Sequence, residues 1–248
     1  MDATLFWIIG ASLAGGAVSL LLAAAAAYSL LSTWLPRMVS YSAGILLGVA
    51  FLSLLPEAFE KSADPGTLFG IVLAGLLGFF LLEKAALWRH GHEHGDHETR
   101  QPSGMLILVG DAFHNFVDGV LLAAAFLTDT RLGIATTLAV MAHEIPQEVG
   151  DFMVLLKAGY GRRRALWLNL AVSLTSVAGG IVGYLALEGA RAMVQYALLI
   201  AASCFIYIAV ADLIPDIHRR NSPREIGWQI GLMAVGIATI AAAEALLH

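Results

Sequence analysis

The chain is written in long apolar runs separated by short polar punctuation. Eight runs reach the roughly 20 residues that an α-helix needs to cross a hydrocarbon core. They cover about 4–32, 38–60, 67–89, 104–128, 132–157, 163–187, 192–217 and 225–247. The first, LFWIIGASLAGGAVSLLLAAAAAYSLL, exceeds the roughly 7–15 apolar residues of a secretory signal and reads as a spanning helix. The pattern predicts an all-α integral membrane protein of eight transmembrane helices, forming one transmembrane domain over 1–248. The connections are short except for the stretch around 90–102.

Five of the runs are plainly apolar, while the second, fourth, fifth and seventh contain internal polar groups. In the fourth, His114 and Asp118 stand one turn apart on one face, with Asn115 beside them and Asp111 one turn before Asn115. In the fifth, His143 and Gln147 form one i, i+4 pair, Glu144 and Glu148 a second, and Asp151 follows near the same side. A short connection makes these two segments antiparallel neighbours, so their polar stripes can meet. Pro146 lacks an N–H and frees the carbonyl of Ala142, which loosens the helix where the stripe lies.

Composition agrees with the hydropathy pattern. The 248 residues are 58% hydrophobic and 13% charged, with a mean hydropathy of +0.77, against about 25% charged in soluble domains. Cys204 is the only cysteine, so no intrachain disulfide forms. The Lys and Arg residues divide unevenly between the two sides of the predicted bundle. One set of alternate connections carries Arg37, Lys84, Arg89, Arg100, Lys157, Arg162, Arg163, Arg164, Arg219, Arg220 and Arg224. The other carries Lys61, Arg131 and Arg191. The positive-inside rule then places both termini outside the cell or in the periplasm of an inner membrane.

Ser53-Leu54-Leu55-Pro56-Glu57, late in the second segment, resembles Asp212-Leu213-Ile214-Pro215-Asp216, late in the seventh. These two segments run in opposite directions. The match would relate segments 1–3 to 6–8 as inverted repeats, a 3+2+3 layout common in transporters; two coincidental helix-end prolines would also produce it.

Charges at bilayer depth are expensive and mark function. Two imidazoles with Asp, Glu, Asn and Gln make a mixed nitrogen and oxygen donor set suited to Zn(II), Fe(II) or Mn(II), and without thiolates unsuited to Cu(I). A buried hydrogen-bond network would leave several negative charges without a counter-ion, because neither segment holds a Lys or Arg in its interior.

HNFVDG followed by HEIPQEVGD resembles the ZIP (Zrt/Irt-like) family of divalent metal transporters, closest to the branch with HNFxDG and HExPHExGD. The resemblance implies that His114, Asn115, Asp118, His143, Glu144 and Gln147 form a binuclear metal site. Gln147 stands where that branch has its second His, which bears on how the two subsites fill. The resemblance further implies movement of metal into the cytoplasm and homodimers. It also implies an elevator-like motion of segments 1, 4, 5 and 6 against 2, 3, 7 and 8. Gly10, Ala14 and Gly15, with Gly179, Gly180 and Gly183, would permit either sliding contacts or fixed tight packing. Zinc is the first expectation as substrate, with Fe2+, Mn2+ or Cd2+ as alternatives. No organic cofactor and no nucleic-acid partner is expected.

Asp111, Glu148 and Asp151 are expected as pathway groups or supports of the ligands. Ser53, Glu57, Asp212 and Asp216 are candidates for the entrance and exit, or are only solvated helix ends. Asn169 and Ser173 share one face of the sixth segment with Ser176. Glu83 and Glu244 read as ordinary interfacial carboxylates. The stretch RHGHEHGDHETR offers His90, His92, His94 and His97 as a flexible cytoplasmic metal-binding tract, or as a soluble linker. A rival intramembrane zinc protease would need HExxH, and Gln147 breaks that motif. A metal-gated channel fits poorly with deep imidazole ligands, because tight binding slows exit. A sensor would need an output domain for which there is little room.

Overall fold

The computed structural model describes residues 3–26, 35–60, 64–92, 104–218 and 222–247. Among them all regular structure is helical. The helices are α1 (Ala3–Ala26), α2 (Leu35–Val49), α3 (Leu55–Glu60), α4 (Pro65–His92), α5 (Gly104–Thr128), α6 (Thr130–Lys157), α7 (Arg162–Glu188), α8 (Val194–Tyr207), α9 (Ile214–His218) and α10 (Pro223–Leu247). A π turn, Ala50–Leu54, joins α2 to α3 in one rod, and another, Ile208–Leu213, joins α8 to α9. Among the described residues, seven helical stretches are long and apolar enough to cross a membrane. The 28-residue α6 is not among them, because its interior carries the ionisable stripe of the fifth segment.

The π turns have a cause in the sequence. Pro56 and Pro215 each stand second in the helix that follows, where a missing N–H leaves a carbonyl one turn back without its partner. The chain widens there by one residue. Leu55 N–H donates to Ala50 O, and Ile214 N–H to Ala209 O, five residues back in both cases. The two stretches matched in sequence therefore share one local geometry.

Short polar signals set the helix ends. Asp64 starts α4 by accepting from Gly66 N at 3.2 Å and Thr67 N at 3.3 Å. The Thr67 hydroxyl, which also donates to it, and then these backbone bonds hold its carboxyl below the ordinary Asp range. Asp129 is the single residue between α5 and α6, and its side chain accepts from Arg131 N at 2.6 Å. So tight a reversal forces α5 and α6 to run antiparallel side by side. Between α6 and α7, Gly159 takes φ +90°, a conformation that suits Gly.

The helices form two groups. α1 packs on α5, α6 and α7, and α5 packs on α6 and α7. In the second group α2 packs on α10 and α8, and α4 on α8. The groups meet where α2 touches α6 and where α5 touches α8. The largest apolar core lies toward the end of the bundle where α5 stops and α6 starts; Leu46, Val49, Leu122, Ala139, Leu198 and Phe205 are fully buried or nearly so. Outward, α4 and α10 expose Phe69, Leu73, Leu77, Leu81, Ile230 and Val235, faces that hydrocarbon can solvate.

The glycines bear on the choice between sliding contacts and fixed tight packing. A methyl group at Gly119 would overlap the Ser176 carbonyl, and one at Gly179 would overlap that of Phe116. Gly183 lies on Val120 and Ala123, Gly180 on Ile8, and Gly15 on Met141. All these contacts are inside the first group, so the small residues fix α5, α7, α1 and α6 together rather than line a sliding surface. Gly119→Ala or Gly179→Ala should therefore lower the melting temperature of the purified protein, with a cost at or above the usual 1–3 kcal/mol of overpacking, since the obstruction is backbone. Gly10→Ala, where nothing lies within 4 Å, should leave it unchanged or raise it slightly. Equal melting temperatures for all three variants would contradict the packing described.

Candidate metal centre

Four side chains of α5 and α6 converge. The Nε2 atoms of His114 and His143 lie 3.1 Å apart, and His143 Nε2 lies 3.1 Å from Asp118 Oδ2. His114 Nε2 is 3.6 Å from Asp118 Oδ2 and 3.8 Å from Glu144 Oε1, and His143 Nε2 is 4.0 Å from the same Glu144 oxygen. One donor atom from each residue fits within 4.8 Å of all the others. Donors placed tetrahedrally at about 2.0–2.1 Å from a zinc ion stand about 3.3 Å from one another, so the spacings bracket that geometry.

The tautomer follows from the second nitrogen. His143 Nδ1 lies 2.9 Å from Ala139 O, so its N–H donates there and Nε2 keeps its lone pair. A proton on His114 Nε2 could serve one contact of the cluster but not all of them. Glu144 is 2% exposed, and among the described residues neither of its carboxylate oxygens has a hydrogen-bond partner; Asp118 Oδ1 is in the same position. The sequence of α5 holds no Lys or Arg, and α6 holds them only near its ends, as Arg131 and Lys157. An ionised carboxylate in such surroundings is stable only beside a cation. The donor set thus fits a divalent metal of borderline softness.

Asn115 and Gln147 are placed differently. Asn115 Nδ2 donates to Asp111 Oδ1 at 3.1 Å and to Asp111 O at 3.2 Å, while Gln147 Nε2 donates to Asp111 Oδ1 at 2.8 Å. The Asp151 carboxyl lies beside that of Asp111. Glu148 is fully buried and turns toward α7, where Ser173 Oγ donates to its Oε1 at 2.6 Å and Asn169 Nδ2 to its backbone carbonyl at 3.2 Å. Asn169 and Ser173 therefore act on the stripe from behind.

Pro146 frees the Ala142 carbonyl, and Ser42 of α2 supplies the missing donor through its hydroxyl. Phe205 of α8 sets its ring edge-on to His143 at 6.0 Å. Sequence reasoning missed both, because each comes from a helix whose crossing point no motif announces. A cavity of about 260 Å³ reaches from His143, Pro146 and Gln147 past Val39 and Ile208 to Asp212, Leu213 and Asp216. Asp212 and Asp216 thus share one space with the centre.

Ser53 and Glu57 do not join it. Ser53 is buried against α10, its hydroxyl on Glu244, which is therefore no mere interfacial carboxylate. Glu57 is half-buried on α3. His94 and His97 lie outside the described residues, as do the side chains of His90 and His92.

A family profile described as ZIP Zinc transporter matches residues 89–244. The chain is similar to zinc transporter ZIP13 of Pongo abelii, 36% identical over 220 residues, covering 83% of this chain and 66% of that protein. ZIP13 of Danio rerio is 30% identical over 265 residues, 84% of this chain and 75% of that one. Zinc transporter ZIP4 of Homo sapiens is 30% identical over 266 residues, 80% of this chain and 41% of that one.

Replacing Ser42 by Ala removes this donor from the half-buried Ala142 carbonyl. The expected loss is about 1 kcal/mol, within the range for interhelical hydrogen bonds in membranes, read as a lower melting temperature. Ser42→Thr keeps the hydroxyl and should lie closer to the parent protein. A Ser42→Ala variant as stable as the parent would mean that the carbonyl finds another partner.

Proposed function

Because the chain belongs to the ZIP family of zinc transporters, we propose that it carries a divalent cation, zinc first, across the membrane through the centre of His114, Asp118, His143 and Glu144. Members of this family are transporters and not enzymes, and the protein is an integral membrane protein. The observation that carries the reading is Glu144, buried and, among the described residues, without a hydrogen-bond partner at either oxygen, its Oε1 3.8 Å and 4.0 Å from two imidazole nitrogens. Zinc is favoured by the two imidazoles; Fe2+, Mn2+ and Cd2+ suit the oxygens. Asn115 and Gln147 complete a second, weaker subsite through neutral amide oxygens.

Transport runs toward the cytoplasm. The Lys and Arg asymmetry puts the end where α2 begins and α6 and α9 stop on the cytoplasmic side, and the cavity from His143 to Asp212 and Asp216 points to that end. Toward the opposite end the apolar core closes over the centre. This is an inward-facing arrangement, with Asp212 and Asp216 on the release route and Ser53 and Glu57 on the outer side. Both termini are then outside, and α6 supplies the eighth span. The shared π turns before Pro56 and Pro215 support inverted halves about α5 and α6. Alternating access moves α1, α5, α6 and α7 as one block against the others, a division supported by the two packing groups. The working unit is a homodimer. The tract around His90, His92, His94 and His97 receives or senses released metal.

Uptake of radioactive zinc into proteoliposomes tests the reading. His143→Ala should reduce uptake by at least about 100-fold, more than the 10–100-fold typical of residues behind a ligand. Gln147→Ala should weaken apparent affinity only modestly, and Gln147→His should favour zinc over manganese, because imidazole is the softer donor. Wild-type uptake with a normally folded His143→Ala would sink the proposal. Replacing His90, His92, His94 and His97 together should leave uptake measurable; its abolition would move the transport site to the loop.

A further inference from the structure

A carboxamide can present either end to its surroundings, and only its oxygen binds a metal. Something must decide which end of Asn115 and of Gln147 faces the ion. Asp111 sits one turn before Asn115 on α5 and across from Gln147 on α6, 5% exposed, with a carboxylate that can only accept when ionised. Its Oδ1 is 2.8 Å from Gln147 Nε2 and 3.1 Å from Asn115 Nδ2, and its backbone carbonyl is 3.2 Å from the same Asn115 nitrogen. Both contacts of Asn115 with Asp111 thus use its nitrogen, and one carboxylate oxygen draws in the NH2 ends of amides from two helices. In each planar amide the oxygen is turned to the side away from the nitrogen.

We infer that Asp111 is a positioning residue that fixes the amides of Asn115 and Gln147 with their oxygens available to the metal. It acts through them and is not itself a ligand. The inference rests on the proposed metal centre and says why a neutral Gln can stand in place of His there. An imidazole orients by one ring N–H, as His143 does on Ala139 O; an amide needs an acceptor that refuses its oxygen. A carboxylate does this and an amide at position 111 does not.

A charge-conserving swap tests it. In purified full-length protein, zinc binding is measured by competition with a fluorescent chelator. Asp111→Asn should weaken binding by about 10–100-fold, the range for groups that orient ligands, because Asn offers a donor as well as an acceptor. Gln147→Glu should also bind more weakly than the parent, since two carboxylates then face each other. The double variant Asp111→Asn with Gln147→Glu restores a donor–acceptor pair with the roles exchanged, and should recover to within about threefold of the parent. In an Asn115→Ala, Gln147→Ala background, Asp111→Asn should change affinity by less than about twofold. A double variant no tighter than the weaker single, or an equal effect of Asp111→Asn in both backgrounds, would make Asp111 a direct ligand or a purely structural group and overturn the inference. Zinc binding that persists in His143→Ala as in the parent would instead remove the metal centre on which it rests.

Discussion

A carboxylate held away from water with no Lys or Arg beside it sets the terms for this molecule. Glu144 has no Lys or Arg near it in its own helix, and the basic groups it meets are the imidazoles of His143 on α6, at 4.0 Å, and His114 on α5, at 3.8 Å. Every neighbour of the centre answers to that constraint. His143 is turned by the Ala139 carbonyl so that its lone pair faces inward. Asp118 and His114 meet it from α5. The arrangement is stable with a divalent cation and costly without one, which is the property a carrier needs if the loaded and empty states are to differ.

The scaffold keeps this cost local. α5 and α7 touch backbone to backbone at Gly119 and Gly179, and α7 supports Glu148 through Ser173 and Asn169. The second group of helices reaches the centre through fewer contacts: Ser42 on the Ala142 carbonyl and Phe205 against His143. The first set of interactions makes a stiff unit around the ligands. The second is the smaller set that joins the two groups beside the cluster. Pro146 belongs to both, since it loosens α6 beside the ligands and creates the carbonyl that ties α6 to α2.

Hydropathy alone anticipated seven helical stretches that are long and apolar enough to cross a membrane among the described residues, while 27–32 of the first predicted segment lie outside those residues. Spacing alone brought His114, Asp118, His143 and Glu144 to facing stripes, because i, i+4 pairs on antiparallel neighbours have few other places to go. Depth in the bundle was less legible. Ser53 was open in sequence to a pathway role or to none, and its contact with Glu244, 191 positions away, was not visible there. The glycines of α7 were open to either use in sequence, since only the identity of the facing helix separates a fixed seam from a sliding one. The position of Asp111 one turn from Asn115 was visible, but its hold on Gln147 depends on the rotation of α6, which a one-dimensional pattern does not specify.

Each π turn adds one residue to a rod, which turns everything beyond it by about 100° around the axis relative to an unbroken helix. The rod of α8 and α9 therefore has two facial registers. Before Ile208 its buried side is set by Leu198, Ala202 and Phe205; after it, the changed phase brings Leu213 and Asp216 to the cavity. Losing a single residue between 208 and 213 would restore regular winding and swing Asp216 a quarter-turn off that space while leaving composition and hydropathy almost untouched. Helix phase, rather than the choice of side chain, is thus a heritable variable in this rod, and relatives that differ there by one residue would line the same route with different faces.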